Sequence, residues 1–156
     1  MSKNYFCYSS ALDTEALEIW KSQHGYPLFK LEEGDRVTLP GYELVFNFPS
    51  RFWGGRVAGL KIASDPKKSV EGILFSIPDE LWPAVEHKEG VVTGASAAIE
   101  ISVRKSDGKM VQALAFTTHP SRESLEGPIS QTFTQVILKA YAHWKLPTDL
   151  IERREE

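Results

Sequence analysis

The apolar positions of the chain recur in two rhythms, one of period two and one of helical period, and each predicts a class of element. Asn4-Tyr5-Phe6-Cys7-Tyr8 is a dense aromatic and apolar run closed by Ser9 and Ser10, which predicts a short buried first strand. Asp13 then stands as N-cap before Ala16, Leu17 and Trp20, which share one helical face, and predicts a helix over 14–21 that Gly25 and Pro27 break. Residues 28–40 are mixed and predict no element. Tyr42 to Phe48 alternates as a strand, and NFPSRFWGG reads as the loop that follows. Arg56 to Ile62 and Val70 to Ile77 predict two more strands on either side of the polar turn SDPKKS.

Pro78 opens a short helical stretch, Pro83 restarts it, and Gly90 closes it in the C′ position. The β-branched residues after Gly90 are expected to enter a strand. Ala97 to Arg104 and Met110 to Thr117 predict a hairpin across KSDGK, whose Asp107-Gly108 pair suits a tight turn. Ser130 caps a long amphipathic helix running to about Trp144, with Phe133, Val136, Ile137, Ala140 and Tyr141 at helical spacing, and Leu146-Pro147 ends it. The closing DLIERREE reads as a solvated helix end. A strand, a helix, a run of strands interrupted by one short helix, and a terminal helix together predict an α+β fold, its mixed or antiparallel sheet curled into a barrel.

The composition narrows this picture. A length of 156 residues predicts a single domain over 1–156, with 42% hydrophobic and 25% charged residues. The net charge of −3 offers no basic footprint for nucleic acid. One cysteine, Cys7, makes no intrachain disulfide, which fits a reducing cytoplasm; its place between Phe6 and Tyr8 makes it an inert core thiol. The start MSKNYFCYSS predicts no secretory leader, and no apolar run approaches the roughly 20 residues of a membrane helix.

His24, His87, His119 and His143 show no metal-ligand spacing, and neither a nucleophile elbow nor a phosphate-binding glycine motif is present; Gly54-Gly55 alone is weak. Two carboxylates remain on the short helix, Glu86 and Glu89. The plain account of both is a solvated acidic helix end. Glu89, however, sits at the negative end of the helix dipole, beside a glycine and before an apolar stretch. Burial there would raise its proton affinity toward the range in which one carboxyl both accepts and returns a proton.

In order along the chain, Tyr8-Ser9-Ser10-Ala11-Leu12, Gly41-Tyr42-Glu43-Leu44-Val45-Phe46, Trp53-Gly54-Gly55-Arg56-Val57-Ala58, Val70-Glu71-Gly72-Ile73-Leu74-Phe75 and Glu89-Gly90 with Gly94 resemble the gamma-glutamylcyclotransferase family, also called AIG2-like. Ser130 to Tyr141 with Leu146-Pro147 resembles its closing helix. The resemblance implies a small mixed or antiparallel β-barrel with flanking helices. It also implies an enzyme that releases 5-oxoproline from a γ-glutamyl or related amide, with the substrate's own α-amine as nucleophile. Glu89 takes the place of the family's catalytic acid/base. The loop Ser9 to Leu12 would offer backbone N–H groups to the substrate, with Tyr8, Trp53, Gly55 and Phe133 as further substrate-binding positions. No cofactor and no metal is implied. A small-molecule amide is the expected partner, nucleic acid and membrane are not, and a homodimer stays open.

The chain departs from the family pattern at four places. Ser9 replaces a loop glycine, Ala11 an asparagine, and Ser96 and Phe133 replace tyrosines. Serine is expected to reach a glycine's backbone angles only at a cost. A changed pocket around a retained Glu89 is the reading these departures favour, with Phe52, Trp53 and Phe133 as candidates for a more apolar leaving-group site. Two other readings stay open: a non-catalytic small-molecule or protein-binding module on the same fold, and an interaction protein with no pocket.

Overall fold

Strands that carry apolar side chains on both faces must be covered on both, and here one face is covered by closing the sheet on itself. The computed structural model describes residues 1–152. In chain order its elements are β1 (Ser2–Cys7), α1 (Thr14–His24), β2 (Asp35–Pro40), β3 (Tyr42–Ser50), β4 (Gly55–Ile62), β5 (Ser69–Pro78), α2 (Trp82–Lys88), β6 (Ser96–Arg104), β7 (Met110–Thr118), α3 (Gln131–Trp144) and α4 (Asp149–Glu152). Short 3-10 turns at Ser10–Leu12, Asp79–Leu81 and Pro120–Arg122 lie between them. Five strands form a closed barrel in the order β1-β5-β2-β6-β7, while β3 and β4 form a separate hairpin. β1 runs antiparallel to β5, from Ser2↔Pro78 to Cys7↔Ile73, and closes the ring on β7 in parallel at Tyr5↔Leu114. The expected α+β fold with a small mixed barrel and flanking helices is therefore the observed one.

The period of two along the strands separates two cores. Phe6, Val37, Leu39, Leu74, Val103 and Ala115 meet inside the barrel. The alternate residues Tyr5, Cys7, Ile73, Phe75 and Ile77 face outward into a second core shared with Leu17, Val85, Phe133 and Ile137 of the helices. Tyr5 thus lies where β1 meets α2.

Local signals set the helix ends. The Asp13 carboxylate accepts from the Ala16 N–H at 2.9 Å, and the Ser130 hydroxyl accepts from the Phe133 N–H at 3.0 Å. α1 runs a turn beyond the expected Lys21, to Gly25 in the left-handed conformation. Other expectations need correction. β2 lies in the stretch without a predicted element: only Val37 and Leu39 are buried, between charged Asp35-Arg36 and Pro40, which is too short an alternation to read. The strand expected over Tyr42 to Phe48 continues to Ser50, into the stretch expected to be loop, because a bulge at Asn47 restores the pairing at Phe48↔Val57. Residues 91–95 are not a strand. They turn back on themselves through Gly94 N–H to Val91 O and Ala95 N–H to Gly90 O, both at 3.1 Å. The tail is not simply solvated either, since Ile151 of α4 is fully buried; residues 153–156 of the expected charged end lie outside the described residues.

Candidate functional site

α2 is short, and buried side chains hold it at both ends. Trp82 opens it with Pro83 in its first turn, and Ala84 and Val85 are buried beneath it. At its end the Glu89 N–H donates to the Val85 carbonyl at 2.9 Å and the Val91 N–H to the Glu86 carbonyl at 3.1 Å, with Gly90 between them at φ 83°, an angle that favours glycine. This reversal turns the Glu89 side chain toward β1. There the Tyr5 hydroxyl donates to Glu89 Oε1 at 2.6 Å. Tyr5 is itself fixed, its ring meeting Trp82 at 6.2 Å and Phe116 at 5.9 Å in edge contacts. Oε2 carries no hydrogen bond from any described residue.

Burial pushes the Glu89 carboxyl above the usual carboxylate range, while the Lys88 charge and the Tyr5 hydrogen bond pull it part of the way back. Glu89 also stands at the C-terminal, negative end of α2, an unfavourable place for an anion. Tyr5 is held well above the usual phenol range, first by burial and then by the neighbouring Cys7 thiol and Glu89 carboxylate. It therefore keeps its proton and acts only as a donor to the carboxylate. Burial likewise pushes the Cys7 thiol up to about 12, so the expected inert core thiol is what the structure contains.

The loop after β1 is held from α3. The Tyr141 hydroxyl donates to the Tyr8 carbonyl, the Trp144 indole N–H donates to the Leu12 carbonyl at 3.0 Å, and the Tyr8 hydroxyl donates to the Phe116 carbonyl at 2.6 Å. The chain then winds into the 3-10 turn, where Leu12 and Asp13 N–H groups bond back to Ser9 and Ser10. That uses the Leu12 amide and leaves those of Ser10 and Ala11, the first two of the turn, without a partner inside it. Ser9 adopts φ −129° and ψ −153°, extended backbone open to any residue. The expected cost of serine at the glycine position is therefore not incurred.

A cavity of about 720 Å³ opens beside Glu89. Tyr8, Ser9, Ser10, Trp53, Phe133 and Glu89 line it, together with Phe52 and Ser96. Three of the expected site residues do not. Ala11 and Leu12 are buried behind the loop, and Gly55 serves packing: a Cβ there would meet the Ser130 nitrogen at 2.7 Å and the Pro128 carbonyl at 2.9 Å. Glu86 is also away from the cavity. The sequence reading missed Tyr5 and Tyr141, although the alternation that puts Tyr5 on the outer face of a buried strand was a usable signal, because a buried tyrosine hydroxyl needs a partner. It also missed that His24 and His87, far apart in sequence, meet with ring centroids 4.9 Å apart beside Trp20 and Tyr26. Among the described residues no group of three or more His, Cys, Asp or Glu side chains could hold a metal ion, and no helix is long and apolar enough to cross a membrane.

The fold is similar to that of a solved gamma-glutamyl cyclotransferase, with a TM-score of 0.77 and 20% identity over 99% of this chain and 87% of that one. An uncharacterised human protein gives a TM-score of 0.76 at 20% identity, covering 99% of this chain and 86% of that one. A yeast gamma-glutamyl cyclotransferase specific to glutathione gives 0.66 at 13% identity, covering 98% and 95%. No curated protein matches the chain. Residues 69–153, which include α2 and Glu89, match the sequence model of the AIG2-like family. The chain belongs to the AIG2-like family.

Proposed function

We propose that the protein is a cyclotransferase that cleaves a γ-glutamyl or closely related amide and releases 5-oxoproline, with Glu89 as general acid and base. One observation carries this reading: Glu89 borders a ligand-sized cavity with Oε1 held by Tyr5, Oε2 without a partner among the described residues and a raised proton affinity. Glu89 as carboxylate takes a proton from the substrate's α-ammonium group. The nitrogen lone pair then forms a bond to the γ-carbonyl carbon. The bond from that carbon to the departing nitrogen breaks, and its electrons stay with the nitrogen. In all, two protons leave the α-nitrogen and two reach the departing nitrogen, which departs as an ammonium ion. Atoms and charge balance, and no water is consumed.

Because nucleophile and target share one molecule, the protein's task is to fold the γ-glutamyl chain back on itself and to move protons. The amide of Ser10, which lines the cavity and has no partner inside its turn, suits the α-carboxylate or the oxyanion that develops on the γ-carbonyl. Tyr8, Ser9 and Ser10 then form the polar end of the site, and Trp53 and Phe133 lie beyond it. Incubation with a panel of γ-glutamyl amino acids and γ-glutamyl amines, read by mass spectrometry for 5-oxoproline, tests the reading. Release from at least one member is expected, and its absence from all of them contradicts the proposal. The rival reading, a binding module with lost chemistry, predicts an ordinary carboxylate value for Glu89 in an NMR titration; a raised value is expected here.

A further inference from the structure

The cavity is larger and more apolar than a γ-glutamyl group needs. Its volume of about 720 Å³ lies within the ~300–1,000 Å³ of pockets that take drug-sized ligands. Away from Glu89 its wall is a continuous aromatic run. Phe133, 1% exposed, meets Trp53 edge-on at 5.5 Å, and Trp53 meets Phe52 edge-on at 5.1 Å. Phe52 is 83% exposed, and Ile19 of α1, on the same cavity, is 54% exposed. Large apolar side chains are thus left facing water at the rim of a pocket whose inner end holds the reacting carboxyl.

The charges around the cavity discriminate between leaving groups. Among the described residues, Lys88, Lys139 and His24 are the basic side chains on its wall, and no arginine lines it. Lys88 lies beside Glu89 at the inner end. Lys139 is bound at 3.0 Å to Glu15 and at 3.5 Å to Asp13. A departing amino acid would bring its own carboxylate toward two acidic side chains and a lysine already paired with them. A departing amine without a carboxylate brings no negative charge toward Asp13 and Glu15, and its apolar part can lie on the aromatic run.

We propose that the substrate's departing amine carries a bulky aryl or aryl-alkyl group and no carboxylate, seated on Phe52, Trp53 and Phe133, so that the products are 5-oxoproline and a hydrophobic amine. The substrate class is then the γ-glutamyl arylalkylamides rather than the γ-glutamyl amino acids. The chemistry assigned rests on the reading of Glu89 as the proton shuttle; the subsite itself rests on the aromatic run and its charges.

Two arms separate these. The first measures binding of the mono-phenethylamide of glutaric acid, which has no α-amine and cannot cyclise, against glutaryl-alanine. The phenethylamide is expected to bind about tenfold or more tightly than glutaryl-alanine, a ratio within reach of a hydrophobic pocket. Phe52→Ser, an exposed position whose change spares the core, is expected to reduce that preference about fivefold. Equal binding, or tighter binding of glutaryl-alanine, overturns the subsite. The second arm compares kcat/KM for γ-glutamyl-phenethylamide and γ-glutamylalanine. A higher value for the phenethylamide supports the proposal, and a higher value for γ-glutamylalanine overturns it while leaving cyclisation intact. If neither releases 5-oxoproline but the phenethylamide analogue binds tightly, the subsite stands and the cyclisation reading falls.

Discussion

A carboxyl that takes a proton and hands it back works best when its own affinity lies near that of its surroundings. Glu89 reaches a raised affinity through opposed influences: burial raises it, Lys88 and Tyr5 restrain it. Tyr5→Phe removes the hydroxyl and keeps the ring packing. The Glu89 affinity should then climb further, so the acid limb of the kcat/KM profile moves to higher pH; a profile that stays in place would contradict a role for Tyr5 in holding the carboxylate. Stability follows from the same shift. A group whose folded pKa is raised contributes fully below its unfolded value, and that contribution is lost as pH rises through the folded value. Glu89→Gln removes this liability, so its Tm relative to the wild type should rise as pH increases from the ordinary carboxylate range through the raised folded value. Glu89 was legible in the sequence because carboxyl and helix-ending glycine are adjacent. Its partner was not, since the Tyr5 bond spans 84 positions of chain.

Elements carry the next level of order. The loop after β1 owes its shape to α3, which reaches it through Tyr141 and Trp144, and α3 starts where Ser130 binds both the Phe133 N–H and the Trp53 carbonyl, the latter at 2.6 Å. β4 approaches that start so closely that only glycine fits at 55. Gly55→Ala should therefore cost about 1–3 kcal/mol in denaturant unfolding, because backbone at 128–130 must move. A loss below a few tenths of a kcal/mol would show that the contact relaxes freely. Capped helices and the β6–β7 hairpin were readable because their signals are local. β2 was not, since its place between β5 and β6 is set by partners whose register appears only when the barrel closes.

At the scale of the molecule, one apolar core runs from Tyr5 near the start of the chain to Ile151 near its end. The DLIERREE segment looked like solvated charge because Ile151 stands among acidic and basic neighbours with no apolar period to display. Ile151→Ala should lower stability by about 2–5 kcal/mol in equilibrium unfolding, the range for a fully buried aliphatic side chain; a surface-like change would contradict its place in the core. The cavity is likewise a property of the whole. Its walls come from α1, the β3–β4 hairpin, α2, β7 and α3, and no local pattern could announce its volume.

The account depends most on Glu89 moving protons rather than only lining a pocket. Side-by-side measurement of 5-oxoproline release by the wild type and by Glu89→Gln, on whichever γ-glutamyl amide turns over fastest, tests that claim. The amide keeps the size of the side chain and cannot shuttle a proton. A fall in kcat/KM of at least about a hundredfold in a variant that remains folded is the predicted result. Activity within a few-fold of the wild type would contradict it.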